Sequence, residues 1–99
     1  MITWVIYDIK KDKARTRAAK YCKQAGLYRV QYSTFLGNLN AQQRDTLSLK
    51  LESEIDLSEG AEDKVYILPM SRDELKQTIL LGKAFDKDYV SDEVKALFL

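Results

Sequence analysis

The chain contains no histidine, one cysteine (Cys22), one proline (Pro69) and four glycines. Without histidine, Ser-His and Cys-His nucleophilic pairs and imidazole-containing zinc sites are excluded. A lone cysteine excludes an internal disulfide and fits a reducing compartment. No apolar run approaches the roughly 20 residues that cross a bilayer. The N-terminus reads as a strand followed by lysines rather than as a leader. These absences point to a soluble, cytoplasmic protein with no membrane partner. Any chemistry it performs falls to carboxylates and a hard, oxygen-loving cation.

What is present fits one small globular domain: 99 residues, 45% hydrophobic and 31% charged. The net charge of +1 hides a division along the chain. Residues 1–44 carry nine Lys/Arg against two acids, and residues 45–99 carry seven against thirteen. Such a split admits either a basic face for phosphates or two ordinary solvated faces.

Ile2 to Ile9 reads as a strand that is apolar on both sides. Ile2, Trp4, Ile6 and Asp8 share one face; Thr3, Val5, Tyr7 and Ile9 share the other. A helix is expected from Asp12, its proposed N-cap, with Ala14, Ala18, Tyr21, Cys22 and Ala25 at helical spacing and Gly26 as the stop. Tyr28 to Leu39 is extended, as one bent strand or as a pair breaking near Tyr32–Ser33. Asn40 with Gln43, and Ser71 with Glu74, have the spacing of capping boxes. Leu47, Leu51 and Ile55 line the inner face of the second helix, and Lys64 to Met70 reads as a further strand. Residues 77–81 read equally as strand or helix.

This order predicts an α+β fold, a ferredoxin-like βαββαβ sandwich over residues 1–83 with both helices on one sheet face. Residues 84–99 form a short C-terminal strand or tail for dimer or partner contacts. The second sheet face would be open to water, yet Trp4 and Ile6 lie on it. A second copy packed sheet to sheet is the expected cover. Two-fold symmetry would then bring Asp8 of both copies together, a pair that recruits a cation such as Mg²⁺. The residue pattern by itself favours the plainer reading, an Asp8 that caps backbone amides or pairs with a lysine.

The basic set is Lys10, Lys11, Lys13, Arg15, Arg17, Lys20, Lys23 and Arg29, with Tyr7, Tyr28, Tyr32 and Phe35 offering aromatic surface. The arginines suit phosphate oxygens; the aromatics read primarily as core. Ser33 lies where a hydroxyl could reach a phosphate or Asp8, and Cys22 falls on the apolar helix stripe.

YDI at 7–9, the R-x-R of Arg15 and Arg17, and RVQYSTF-x-G at 29–37 together resemble the CRISPR-associated protein two (Cas two) family. The likeness extends through Ile55–Asp56, the V-Y-I-L-P strand and ILLGKA, nearly the whole domain. It implies a face-to-face ferredoxin-like homodimer serving spacer acquisition in antiviral defence. It also implies a metal-dependent endonuclease acting on RNA or DNA phosphodiesters. Asp8 would be the catalytic and metal-binding residue, shared with its symmetry mate around Mg²⁺ or another divalent cation. Arg15, Arg17, Arg29, Lys11 and Lys13 would bind nucleic acid, and Tyr7, Ser33 and Phe35 would support the site. The alternative implied by the family is a non-catalytic dimer that holds DNA and bridges dimers of the Cas-one integrase. A third class, a small-molecule regulatory domain on the same fold, has no pocket-forming glycine loop to favour it.

Overall fold

The computed structural model describes residues 1–85 and 87. Its elements run β1 (Ile2–Asp8), α1 (Asp12–Gln24), β2 (Tyr28–Gln31), β3 (Thr34–Asn38), α2 (Ala41–Glu52), β4 (Lys64–Met70) and α3 (Arg72–Gln77). The four strands form one antiparallel sheet in the order β2-β3-β1-β4. This is the ferredoxin-like arrangement expected from the pattern of elements. Most of the segment 84–99, with the apolar group Val94, Leu97, Phe98 and Leu99, lies outside the described residues.

Strand β1 is central, and its alternation decides what each face carries. Val5, Tyr7 and Ile9 enter the main core with Ala14, Ala18, Ala19 and Cys22 of α1, and with Phe35, Leu47 and Leu51. Three alanines on α1 keep its packed surface shallow, which lets the helix axis lie close to the sheet. Ile2 enters a second, smaller cluster on the opposite face, with Leu36 and Leu75. Trp4, Val30, Met70 and Phe85 pack around that cluster. The Trp4 and Phe85 rings meet edge to face at 5.7 Å, and the Trp4 indole N–H donates to Met70 Sδ at 3.3 Å. The second face is therefore covered in part by the chain itself, through Leu75 of α3 and Phe85. The exposed remainder carries Ile6, Tyr66 and Leu68. Register places Ile6 opposite Tyr66, and Asp8 opposite Lys64, at that uncovered end.

Local signals account for most element boundaries. Both capping boxes form, Asn40 with Gln43 and Ser71 with Glu74. Helix α1 ends in a Schellman arrangement: Leu27 N–H donates to Cys22 O, and Gly26 N–H to Lys23 O. Gly26 has φ +91°, a left-handed conformation that suits glycine. The extended stretch from Tyr28 divides into two strands around a turn at Tyr32 and Ser33. Residues 78–81 are neither helix nor strand. At the start of α1 the N-cap is Lys11, not Asp12, and no side chain caps the first amides. Asp12 is instead the first helical residue, where its carboxylate engages Arg15 and complements the helix dipole.

Gly37 in β3 lies against the chain leaving α1. A Cβ there would stand 2.8 Å from Leu27 Cδ2, 3.2 Å from Leu27 Cα and 3.3 Å from Gly26 O. The Leu27 side chain has some freedom to move, but the two backbone atoms hold the helix-terminating turn. Gly37→Ala is expected to cost about 1–3 kcal/mol through overpacking, lowering the melting temperature by roughly 4 °C or more. An unchanged thermal transition would show that the turn yields without penalty.

Candidate carboxylate site and nucleic-acid interface

Asp8 ends β1 with its side chain 49% exposed. Lys10 Nζ lies 3.3 Å from both Asp8 oxygens, an exposed pair of the kind that contributes little to stability. The surroundings of this end of the strand are acidic as well as basic. Glu62 approaches Lys10 Nζ at 4.0 Å. Asp63 accepts from the backbone N–H groups of Lys10 and Asp56, each at 2.9 Å. Asp63 thus ties the loop after α2 to the β1–α1 junction. Nothing in the residue pattern singled it out, because its two partners lie 53 and 7 residues away.

A hard, strongly hydrated cation such as Mg²⁺ takes one or two carboxylates together with waters and phosphate oxygens. Among the described residues, the carboxylates at this end of one chain are Asp8, Glu62 beside Lys10, and Asp63, whose oxygens are taken by backbone N–H groups. Among the described residues no group of three or more histidine, cysteine or acidic side chains converges to hold a metal. The donor chemistry of Asp8 fits such a cation, but the set is incomplete within a single copy.

Counting Lys10 at Asp8, the basic residues are distributed over four places rather than one strip. Arg15, Lys20, Lys23 and Arg29 line a solvent-open groove of about 680 Å³ together with Asp12, Thr16 and Gln24. Four cations against one carboxylate leave it at a net +3. Arg15 is also structural: its Nη1 donates to Ile9 O at 3.0 Å, and its Nη2 pairs with Asp12. Among the described residues no carboxylate pairs with Lys20, Lys23 or Arg29. Arg17 lies outside the groove and binds Glu54, with Nε 2.8 Å from Oε2. Lys11 and Lys13 are exposed at the start of α1 and do not line the groove either. Lys20 and Lys23 belong to the basic set without having been singled out. Their helical spacing from Thr16 (i, i+4, i+7) is the signal that places them on one wall.

Tyr7 and Tyr32 complete the groove. The Tyr7 ring stacks on Phe35 with centroids 6.3 Å apart, and the Arg29 guanidinium sits over Phe35 at 5.1 Å. Phe35 is fully buried and forms the floor beneath both. Burial raises the Tyr7 phenol above its ordinary range, reinforced by the Cys22 thiol and opposed by Arg29. Burial likewise pushes the Cys22 thiol up to about 12, which leaves it a neutral core group rather than a nucleophile. Tyr7 and Phe35 are core, as read from the sequence. Tyr32 is not: it stands 71% exposed at the hairpin turn. Ser33 beside it is held at φ +59°, and its carbonyl accepts from Tyr7 N–H at 3.0 Å. Ser33 therefore fixes the turn against β1 through its backbone.

Because the Glu54 side chain is only 8% exposed, removing its guanidinium partner strands a nearly buried carboxylate. Arg17→Ala is expected to destabilise the fold by about 1–2 kcal/mol, discounted for the half-exposed arginine. The check is the urea midpoint. A midpoint equal to that of the unsubstituted protein would show that the pair contributes nothing.

Comparison with known proteins identifies the family and the fold. The profile of the family described as CRISPR associated protein Cas2 matches residues 1–78, a span that includes the carboxylate, the groove and all four strands. A CRISPR-associated endoribonuclease Cas2 from Desulforudis audaxviator is 40% identical over 86 residues, covering 87% of this chain and 74% of that one. Another, from Archaeoglobus fulgidus, is 37% identical and covers 71% of each. Among solved structures, a hypothetical protein TT1823 from Thermus thermophilus superposes with a TM-score of 0.69 at 30% identity, over 84% of this chain and 92% of its own. Streptococcus pyogenes Cas2 shares the fold, with a TM-score of 0.63 at 22% identity over 83% of this chain and 100% of its own. The family profile spans most of the chain, the two relatives share 40% and 37% of matched residues, and the fold agrees: the chain belongs to the Cas2 family of CRISPR-associated proteins.

Proposed function

We propose that this chain serves spacer acquisition in a CRISPR system as a face-to-face homodimer, in which Asp8 of both copies holds a divalent cation for phosphodiester cleavage. The observation that carries the reading is the position of Asp8. It stands half-exposed on the same uncovered end of the sheet as Ile6, Tyr66 and Leu68. An apolar patch of this kind favours a protein partner, and an isologous contact presents the same patch twice. Two half-sites then become one. Mg²⁺ matches the oxygen-only donor set. When bound, it would supply a polarised water and stabilise charge on the phosphate.

The chain's own residues set the conditions for that step. Asp8 provides the anionic ligand and must leave Lys10 to do so, which frees the Lys10 ammonium for a phosphate oxygen. Arg29, Lys20 and Lys23 attract and hold the polyanion from the groove, and Arg15 keeps the β1–α1 junction in place. The relatives' name, CRISPR-associated endoribonuclease, favours RNA as the strand that is cut.

A second reading is favoured by the Lys10–Asp8 contact. A dimer that holds DNA and bridges Cas-one integrase dimers needs the basic groove but no metal. The two readings separate in a nuclease panel of RNA and duplex DNA, with and without Mg²⁺. The catalytic reading predicts Mg²⁺-dependent cleavage that falls at least 100-fold in Asp8→Asn, the order lost when a principal electrostatic contributor is removed. Equal cleavage by both proteins would refute it. Tight, salt-sensitive binding without any cleavage would favour the DNA-holding reading.

A further inference from the structure

We propose that Tyr32, at the rim of the basic groove, is a stacking platform for an unpaired nucleobase. This rests on the reading of the groove as a nucleic-acid path, and it adds the residue that meets a base face.

A tyrosine left 71% exposed is unusual beside a core that buries Tyr7 and Phe35 completely or nearly so. It is also not adrift. The turn that carries it is closed by the Gln31–Thr34 pair and fixed to β1 by the Tyr7 N–H to Ser33 O bond. Thr34 Oγ1 lies 3.5 Å from Tyr32 O and accepts from Gln31 Nε2 at 3.3 Å. The ring is therefore presented from a braced backbone, so little order is lost when something packs on it.

What faces it decides the partner. Tyr32 shares the groove with Arg29, Lys20 and Lys23, none of which has a carboxylate partner among the described residues. Among the described residues one acid lines the groove, Asp12, and it is taken by Arg15. A solvent-facing aromatic ring among cations that no carboxylate neutralises has the character of a single-strand binding surface. The cations follow the backbone, and the ring takes a base face. A duplex hides its base faces in the stack, so it would use the cations and leave Tyr32 idle. A purely apolar or acidic-peptide ligand would use only half of the lining.

The test measures binding of an oligothymidylate, and of a fully paired duplex, to the intact protein and to Tyr32→Ala, Tyr32→Phe and Lys23→Ala over a range of salt. Tyr32 is exposed and its hydrogen bond is through the backbone, so Tyr32→Ala should melt as the unsubstituted protein does. Tyr32→Ala is expected to lose roughly tenfold or more in affinity for the single strand, with its salt slope unchanged and duplex binding intact. Tyr32→Phe should retain single-strand affinity. Lys23→Ala should weaken both forms and flatten the salt slope. Single-strand binding by Tyr32→Ala equal to that of the unsubstituted protein, with Lys23→Ala still impaired, overturns the stacking role and leaves the groove reading standing. Equal losses on single strand and duplex, or a Tyr32→Phe protein as weak as Tyr32→Ala, also overturn it. Binding that ignores both salt and Lys23→Ala overturns the groove reading and this inference together.

Discussion

The register of β1 is the constraint on which the site depends. Two adjacent residues, Tyr7 and Asp8, leave this central strand on opposite faces. Tyr7 goes under the groove and Asp8 out to the uncovered end of the sheet. A slip of one residue would bury the acid among Phe35 and the α1 alanines and expel the phenol. Pairing on both sides prevents that slip. Five residues of β1 are matched to β3 and seven to β4, and the alternation of buried apolar side chains reinforces the same choice. The separation between an acid on one face and cations on the other is thus a product of strand geometry.

That separation alters the electrostatic picture of the acid. The basic residues crowd close to Asp8 in the sequence, yet α1 carries most of them to the far side of the sheet. Lys10 alone among them contacts the carboxylate, while Glu62 and Asp63 bring negative charge to the same strand end. Under the proposed function a cation there would draw on Asp8 of both copies. The groove, with its braced aromatic floor and exposed rim, is better placed to capture a strand than to act on it. Under the proposed function, capture and chemistry fall on different faces of one small domain.

Much of this was legible in the sequence because it is local. A β-branched, aromatic run apolar on both faces located β1, the Asn40–Gln43 and Ser71–Glu74 spacings located two helix starts, and Gly26 located a helix end. The family likeness in YDI, R-x-R and RVQYSTF-x-G was equally visible. What was not legible depends on partners distant in the chain. Arg17 meets Glu54 across 37 residues, and so leaves the groove that Arg15 enters. Leu75 and Phe85 come back over Ile2 and Trp4, so the second face needs less cover than a four-stranded sheet alone would. Tyr32 differs from Tyr7 only in falling at the turn. Its exposure followed from where the hairpin broke, which the run from Tyr28 to Leu39 left open.

The central claim is that the carboxylate is half of a site completed by a second copy. Titration of the protein with Mn²⁺, followed by the electron paramagnetic resonance of the free ion, counts that site directly. The account predicts one tightly held ion per two chains, lost in Asp8→Asn. One ion per chain, or binding that survives Asp8→Asn, would contradict it.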